Sequence, residues 1–243
     1  MKIFDCFPFF NELEILELRL TTLGSVVDYF VLVEANVTMT GKPKEFVFEK
    51  NRFRYRRYLD KIIYVKVKDA PKLSRKLDDW TIDYFQRNCI TRGLRDAKIE
   101  DKIIISDADE IPNPTKIVEY KDSRDNIFFN QYLFNFFVNC FEGNWNGPIM
   151  TSFDESMPFP QELRARARGV NVKNGGWHYS YMGGLNRILK KLDSIVEGPQ
   201  VLNHLGSVED IKRKVNSFKS LFDEEIQYYL VYIYKDNLAP KTM

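Results

Sequence analysis

Two aspartates and a glutamate follow directly after an apolar run in the segment IIISDADEIPNP, residues 103–114. Asp107 and Asp109 are two residues apart, so in an extended chain both side chains project to the same side. Two carboxylates at one point suit a hard divalent cation such as Mn²⁺ or Mg²⁺, which leaves room for substrate phosphates. The D-x-D pattern alone also fits a solvated loop, but its position at the end of an apolar strand favours a metal site.

The chain contains two histidines. His178 lies in GGWHYSYMGG, residues 175–184, between aromatic residues and near glycines that let a backbone approach a ligand closely. Neutral imidazole is a good third ligand for Mn²⁺, and a histidine between aromatic residues also fits a buried core position. Both interpretations of His178 stay open. His204 has no such context, and we interpret it as structural.

A third pattern places arginines at alternate positions in LRARARG, residues 163–169: Arg164, Arg166 and Arg168. On a strand, this spacing lines the guanidinium groups along one face, which suits a phosphate or an acidic sugar. A charged edge strand that resists aggregation has the same pattern, so this alternative stays open.

These groups must be positioned by the elements around them. Apolar runs predict strands at 2–7, 28–35, 61–67, 101–107 and 126–138, and helical spacing predicts helices at 11–27, 78–95 and 207–222. Asn11 and Glu14 are predicted to form a capping box at the first helix. The alternation predicts an α/β sandwich with a largely parallel sheet, in which ligands bind beyond the carboxyl ends of the strands. Glu34 and the acidic segment both belong to that edge.

Composition narrows the class of protein. The 243 residues are 44% hydrophobic and 14% aromatic, enough for one large core. A net charge of +2 gives no electrostatic basis for binding nucleic acid. The three cysteines are far apart, which argues against a disulfide framework or a zinc site. No signal peptide, membrane anchor or membrane span is evident, so we expect a soluble, cytoplasmic protein.

Several motifs together resemble glycosyltransferase family 17, the family of the bisecting β-1,4-N-acetylglucosaminyltransferases. They are SDADEIPNP, VDYFVLVEANVTMTGKPKEF, GGWHYSYMGG and the closing LAPK, and the similarity extends from Lys2 to about Lys241. The resemblance implies a GT-A-like, Rossmann-type three-layer sandwich with a mainly parallel central sheet. It also implies a single domain over residues 1–243, with a nucleotide-sugar half at 1–125 and an acceptor half at 126–243.

The implied reaction is metal-dependent and inverting. It moves a sugar, expected to be N-acetylglucosamine, from a UDP-sugar donor to a hydroxyl of an oligosaccharide or glycoconjugate acceptor. By the resemblance, the ligands of Mn²⁺ or Mg²⁺ are Asp107, Asp109 and His178. The expected donor-binding residues are Glu34, Lys42, Arg87, Asp107 and Lys191. The expected acceptor-binding residues are Trp145, Arg164, Arg166 and Trp177.

An inverting transfer also needs a carboxylate that takes the proton of the acceptor hydroxyl. Because Asp107 and Asp109 are committed to the metal, we expect the base to be Asp154 or Glu155, with Glu142 in reserve. The stretch 141–164 matches the family poorly, so the acceptor itself is not transferred by the resemblance.

Two rival interpretations fit parts of the sequence. A haloacid-dehalogenase-like phosphohydrolase also has D-x-D after an apolar strand, but its nucleophile lies on the first strand and is followed by Thr or Val. Here the motif follows about the fourth strand and continues with Glu110 and Ile111. A non-catalytic module that binds a nucleotide sugar or carbohydrate stays open, and it would hold UDP without releasing it from a UDP-sugar.

Overall fold

The computed structural model describes residues 1–75, 77–223 and 225–232, and the closing LAPK motif at 238–241 lies outside them. The strands are β1 Ile3–Pro8, β2 Tyr29–Ala35, β3 Ile62–Val67, β4 Lys102–Ile105, β5 Glu110–Pro112, β6 Ile127–Asn135, β7 Cys140–Ser152, β8 Val170–Val172, β9 Gly176–Ser180 and β10 Tyr229–Leu230. The α-helices are α1 Leu13–Leu23, α2 Val47–Asn51, α3 Thr81–Asn88, α4 Pro114–Tyr120, α5 Pro160–Arg166, α6 Leu185–Leu192, α7 Gly198–Leu205 and α8 Val208–Asn216. Short 3-10 helices lie at Arg52–Tyr55 and Cys89–Gly93.

The first half of the chain forms a parallel sheet in the order β3-β2-β1-β4. All four strands therefore end at one edge, where Asp107 follows β4 and Asn36 follows β2. This is the edge at which open α/β sheets bind ligands. The strands predicted at 2–7, 28–35, 61–67 and 101–107 are confirmed.

Helical layers cover both faces of this sheet. On one face, Leu16 and Leu20 of α1 share an apolar cluster with Phe7 and Ile104. On the other face, Cys6 and Ile105 share a second cluster with Ile90 of the 3-10 helix after α3 and with Leu163 of α5. The predicted three-layer α/β class is confirmed.

The second half of the chain extends the sheet with mixed strand directions. β7 pairs antiparallel with β4, with Ile149 opposite Ile105, and β6 pairs antiparallel with β7. Because β7 begins nine residues before Ile149, at Cys140, the β6–β7 hairpin reaches about 30 Å beyond the end of β4. β9 runs parallel to β6, and β5 pairs with β9 so that Glu110 lies opposite His178. This pairing brings the histidine segment to the acidic segment.

The last three helices have a core of their own. Ile188 and Leu192 of α6 cluster with residues of α7 and α8, and with Tyr181 and Cys140 near the hairpin. This cluster is distinct from the two that pack against the parallel strands. The helix predicted at 207–222 is confirmed in position and is shorter, as α8.

Two local predictions are wrong. The carboxylate of Glu12 accepts hydrogen bonds from the backbone N–H groups of Phe10 and Asn11, so the predicted capping box of Asn11 and Glu14 does not form. The arginine run is not a strand, because Pro160 opens helix α5 and the helix continues to Arg166. On a helix, positions 164 and 166 point about 200° apart, so the arginines do not share a face.

Candidate active site

We call Asp107, Asp109 and Glu110 the acid tip. Asp107 accepts a hydrogen bond from Arg87 of α3 at 2.8 Å and one from Arg164 of α5 at 3.0 Å, on separate carboxylate oxygens. Burial raises the pKa of Asp107, but the charges of Arg164 and Arg87 outweigh burial and hold that pKa below its usual range. Arg87 and Arg164 therefore supply the positive charge that offsets the repulsion between Asp107 and the neighbouring carboxylates.

Glu110 is fully buried and holds the acid tip together. Its carboxylate accepts hydrogen bonds from Arg164 at 2.7 and 2.5 Å, and from the indole Nε1 of Trp145 at 2.5 Å. It also accepts the backbone N–H of Asp107 at 2.8 Å. A carboxylate with this many donors is fixed in position, so Glu110 orients both Asp107 and Arg164. No role for Glu110 was predicted from the sequence.

Asp109 faces a lysine and a histidine. The Lys191 ammonium donates to one carboxylate oxygen at 2.8 Å, and Nε2 of His178 lies 3.6 Å from the other. Burial raises the pKa of Asp109, but Lys191 and His178 outweigh burial and lower it well below its usual range. Within the described residues, Nδ1 of His178 is buried without a hydrogen-bond partner, and its ring lies 5.1 Å from that of Trp145.

A buried ion pair behind the acid tip shapes its backbone. Arg19 of α1 and Asp5 of β1 are both fully buried and share two hydrogen bonds of 2.7 and 2.6 Å. Arg19 also donates to the carbonyls of Asp107, Ala108 and Glu110 at 2.9, 3.2 and 2.9 Å. This ion pair was not predicted from the sequence. The available signal was an acid inside an apolar strand and an arginine at a core-facing position of an amphipathic helix.

A cavity of about 360 Å³ opens beside Asp109 and Lys191. Its walls come from the start of α1 and from the segment after β9, and they include Glu14, Tyr181 and Arg187. This volume lies at the lower end of the range for small-molecule sites. Ligand-sized space therefore adjoins the acid tip.

A family model described as Glycosyltransferase family 17 matches residues 1–225, nearly the whole chain. The chain belongs to glycosyltransferase family 17. The same motifs that carried the resemblance in the sequence, the acid tip and the histidine strand, meet at one point in the structure.

Curated relatives of this family 17 chain share part of its length. It is 36% identical over 110 residues to the human and rat proteins named beta-1,4-mannosyl-glycoprotein 4-beta-N-acetylglucosaminyltransferase. The match covers 42% of this chain, and the chain spans only 20% of each relative. Among solved structures, a mannosyltransferase from Pyrobaculum calidifontis in complex with GDP-Man and Mn2+ matches 88% of this chain and 68% of its own, at 11% identity and a TM-score of 0.43.

Each helix in the described ranges falls short of the length and apolarity that a membrane crossing demands.

Asp109 and His178 could hold a divalent cation, because a carboxylate oxygen of Asp109 and Nε2 of His178 lie 3.6 Å apart. Within the described ranges, no three His, Cys, Asp or Glu side chains converge as a metal-binding group. A cation that takes its remaining ligands from substrate phosphates needs only one or two protein carboxylates, so this pair fits it. The predicted ligand Asp107 has both carboxylate oxygens engaged by arginines instead.

The predicted donor-binding residues fall into two groups. Arg87 and Lys191 lie at the acid tip. Glu34 is fully buried and accepts hydrogen bonds from Lys44, from the Tyr64 hydroxyl and from backbone N–H groups at the start of α2. Its contacts are thus internal ones that hold this loop.

Lys42, the remaining predicted donor residue, is half-exposed and pairs with Asp193 just after α6. The backbone carbonyl of Asp193 also accepts a hydrogen bond from Thr40. The loop after β2 therefore touches the end of the helix that carries Lys191. Contact of Glu34 or Lys42 with a donor stays a prediction.

Two of the four predicted acceptor residues, Trp145 and Arg164, meet at the Glu110 carboxylate, whereas Arg166 and Trp177 lie elsewhere. Trp145 is partly exposed beside His178 and Glu110. Arg164 is instead part of the acid tip, and Arg166 is exposed on the opposite side of α5. Trp177 alternates with His178 along β9, so it faces the core and is only 6% exposed. This buried position does not fit the predicted role of Trp177 in binding the acceptor.

The predicted bases also lie in the wrong place. Ser152 pairs with Lys102 at the amino end of β4, and Asp154 and Glu155 follow it there. They are therefore separated from Asp107 by the whole length of β4. The reserve candidate, Glu142, lies on the hairpin beyond the carboxyl edge, where Asn135 donates a hydrogen bond to it.

Proposed function

We propose that this chain is a metal-dependent, inverting glycosyltransferase. It moves N-acetylglucosamine from a UDP-sugar to a hydroxyl of an oligosaccharide or glycoconjugate. The observation that supports the proposal most strongly is the convergence of Asp109, His178 and Lys191 beside a cavity in a family 17 chain. The name of the curated relatives, which specifies an N-acetylglucosaminyltransferase, supports the choice of sugar.

The donor lies against the first half of the chain, residues 1–125, with its diphosphate at the acid tip. Asp109 and His178 would hold the cation, which neutralises charge on the departing nucleotide when bound. Arg87 and Arg164 place two further positive charges within 3.0 Å of Asp107. Such fixed charges stabilise a developing negative charge without having to reorganise during the reaction.

The acceptor lies in the second half of the chain, residues 126–243, along the face of the β6–β7 hairpin that carries Trp145 and Glu142. Trp145 offers a partly exposed ring next to His178, and aromatic rings pack well against the apolar faces of sugars. Leu133 of β6 pairs with Gly143 on one side and His178 on the other, so Glu142 lies about two strand spacings, roughly 10 Å, from His178.

Glu142 is the proposed general base. Burial raises its pKa above the ordinary value, while the hydrogen bond from Asn135 and the charge of His178 act in the opposite direction. A carboxylate with a raised pKa is a better proton acceptor for a hydroxyl group. Glu142 therefore takes the acceptor proton as the sugar's anomeric carbon is attacked.

The test is release of UDP from UDP-N-acetylglucosamine in the presence of a panel of mannose-containing oligosaccharides, with Mn²⁺ or with EDTA. Wild type is expected to turn over only with Mn²⁺. Glu142→Gln is expected to lose about 100-fold or more in kcat with UDP affinity retained. Asp154→Asn is the matched control and should keep wild-type turnover. UDP binding without turnover on any acceptor would favour the non-catalytic binding module.

A further inference from the structure

The two aspartates of the acid tip are neutralised in different ways. Asp107 is held by two arginines that are themselves fixed, Arg87 by Asp83 and Arg164 by Glu110. Planar guanidinium groups with several hydrogen bonds are costly to displace. Asp107 therefore keeps its partners.

Asp109 has a more exchangeable partner. In the described part of the chain, the Lys191 ammonium donates to Asp109 and lies 4.8 Å from the centroid of the Tyr181 ring. The Lys191 side chain is 24% exposed, and a lysine is a single charge on a flexible stem. Among the positive groups at the acid tip, Lys191 is thus the one that can leave.

We propose that Lys191 is the resident counter-ion of Asp109 and is displaced when a divalent cation and a nucleotide diphosphate bind together. The inference rests on the proposed function, because the ion concerned is the one that Asp109 and His178 would hold. Lys191 neutralises the Asp109 carboxylate with one positive charge from the side of one oxygen, and a divalent ion held at the other oxygen by His178 would bring two. Once displaced, the ammonium group is free to pair with the diphosphate.

The structure around α6 gives Lys191 room to move. Gly183 and Gly184, with φ of +95° and +83°, precede the helix and provide a flexible joint. The apolar side of α6 packs into the C-terminal cluster. Helix α6 contacts the first half of the chain through charged pairs, such as that between Arg187 and Glu14. The cavity of about 360 Å³ is lined by Lys191 and Asp109 and can receive the displaced side chain.

The consequence is a coupling between metal and nucleotide. A cation that arrives alone must compete with Lys191 for Asp109 and is repelled by it, so it binds weakly. A cation that arrives with UDP lets the ammonium group exchange one negative partner for another. Metal and nucleotide therefore strengthen each other's binding, and by linkage the effect is reciprocal.

The test measures binding of Mn²⁺ from the electron paramagnetic resonance signal of the free ion, with and without UDP. The Mn–UDP complex formed without protein is subtracted. Lys191→Gln removes the resident charge, and Lys190→Gln removes an exposed charge one position earlier on the same helix. Lys191→Arg keeps the charge.

Wild type and Lys190→Gln are expected to bind Mn²⁺ about tenfold or more tightly with UDP than without it. Lys191→Gln should bind Mn²⁺ alone about tenfold more tightly than wild type and lose most of the coupling. Lys191→Arg should bind Mn²⁺ alone no better than wild type.

Three results would overturn the inference. If wild type binds Mn²⁺ with UDP but Lys191→Gln binds the ion alone no more tightly than wild type, the inference alone fails. Tighter binding of the ion alone by Lys191→Arg would overturn it in the same way, and this readout remains if the glutamine variant does not fold. No binding of Mn²⁺ by any of these proteins, even with UDP, would overturn the metal-dependent function together with the inference.

Discussion

Removal of the Arg19 side chain should destabilise the protein strongly, because Arg19 is fully buried and makes six hydrogen bonds. In Arg19→Met, Asp5 is left as an unpaired buried charge, which costs about 3–5 kcal/mol. Each of the three carbonyls that loses its donor adds about 1 kcal/mol or more if it stays buried. The expected loss is therefore about 3 kcal/mol if the carbonyls find other donors and up to about 8 kcal/mol if all three stay unpaired, a large part of a typical domain's stability.

The double variant Asp5→Leu/Arg19→Met separates stability from the shape of the acid tip. Replacing a buried ion pair by apolar side chains of similar size is often nearly neutral, so the double variant should recover most of the lost stability. The carbonyls of Asp107, Ala108 and Glu110 still lack the donor that positions them, so binding of UDP with Mn²⁺ should stay weak.

The assay is urea unfolding for the free energy of unfolding, and calorimetry for UDP binding in the presence of Mn²⁺. Two results would refute the reasoning. A loss below about 1 kcal/mol in Arg19→Met would mean that the ion pair is not the buried anchor described here. Wild-type affinity for UDP in the double variant would mean that Arg19 does not shape the acid tip.

Two further predictions concern Trp177 and Glu142. Within the described residues, the buried Nε1 of Trp177 has no hydrogen-bond partner. Trp177→Phe should therefore change the free energy of unfolding by less than about 2 kcal/mol and leave the KM for the acceptor unchanged. A large rise in that KM would instead support the predicted role of Trp177 in binding the acceptor. Burial raises the pKa of Glu142, so the folded protein binds the Glu142 proton more tightly than the unfolded chain does. The free energy of unfolding should therefore fall slightly as the pH rises from the pKa of Glu142 in the unfolded chain to its pKa in the folded protein. The rate should rise over the same pH range, because the base must be ionised to accept a proton. The measurement is the pH profile of kcat/KM, whose acid limb should have its midpoint above 4.5 in wild type. The same acid limb in Glu142→Gln would contradict the role of Glu142 as the base.

The elements that carry their own signal were predictable from the sequence. Apolar runs with β-branched residues predicted the parallel strands, and the acids directly after Ile105 placed the acid tip at their carboxyl edge. The glycine-flanked His178 was brought to the same point by the pairing of β5 with β9. Local composition thus identified both parts of the site.

The wrong predictions of the base and of the arginine strand concerned features that depend on strand direction and on contacts between residues far apart in sequence. Asp154 and Glu155 were predicted as bases, but they follow β7, which runs antiparallel to β4 and ends at the amino edge of the parallel strands. No local pattern specifies that direction. The spacing of two between the arginines predicted a strand. The segment is a helix instead, because Pro160 opens α5 and Leu163 packs into the apolar cluster beneath it. Arg164 then reached Glu110, a partner 54 residues away in sequence.

The most direct test of the central claim is calorimetric titration of UDP-N-acetylglucosamine, with other UDP-hexoses for comparison, into wild type and Asp109→Ala. Each titration is run with and without Mn²⁺. Wild type is expected to bind UDP-N-acetylglucosamine only when Mn²⁺ is present, and Asp109→Ala is expected not to bind it. Binding that does not need the metal, or no binding of any UDP-sugar by wild type, would contradict the central claim.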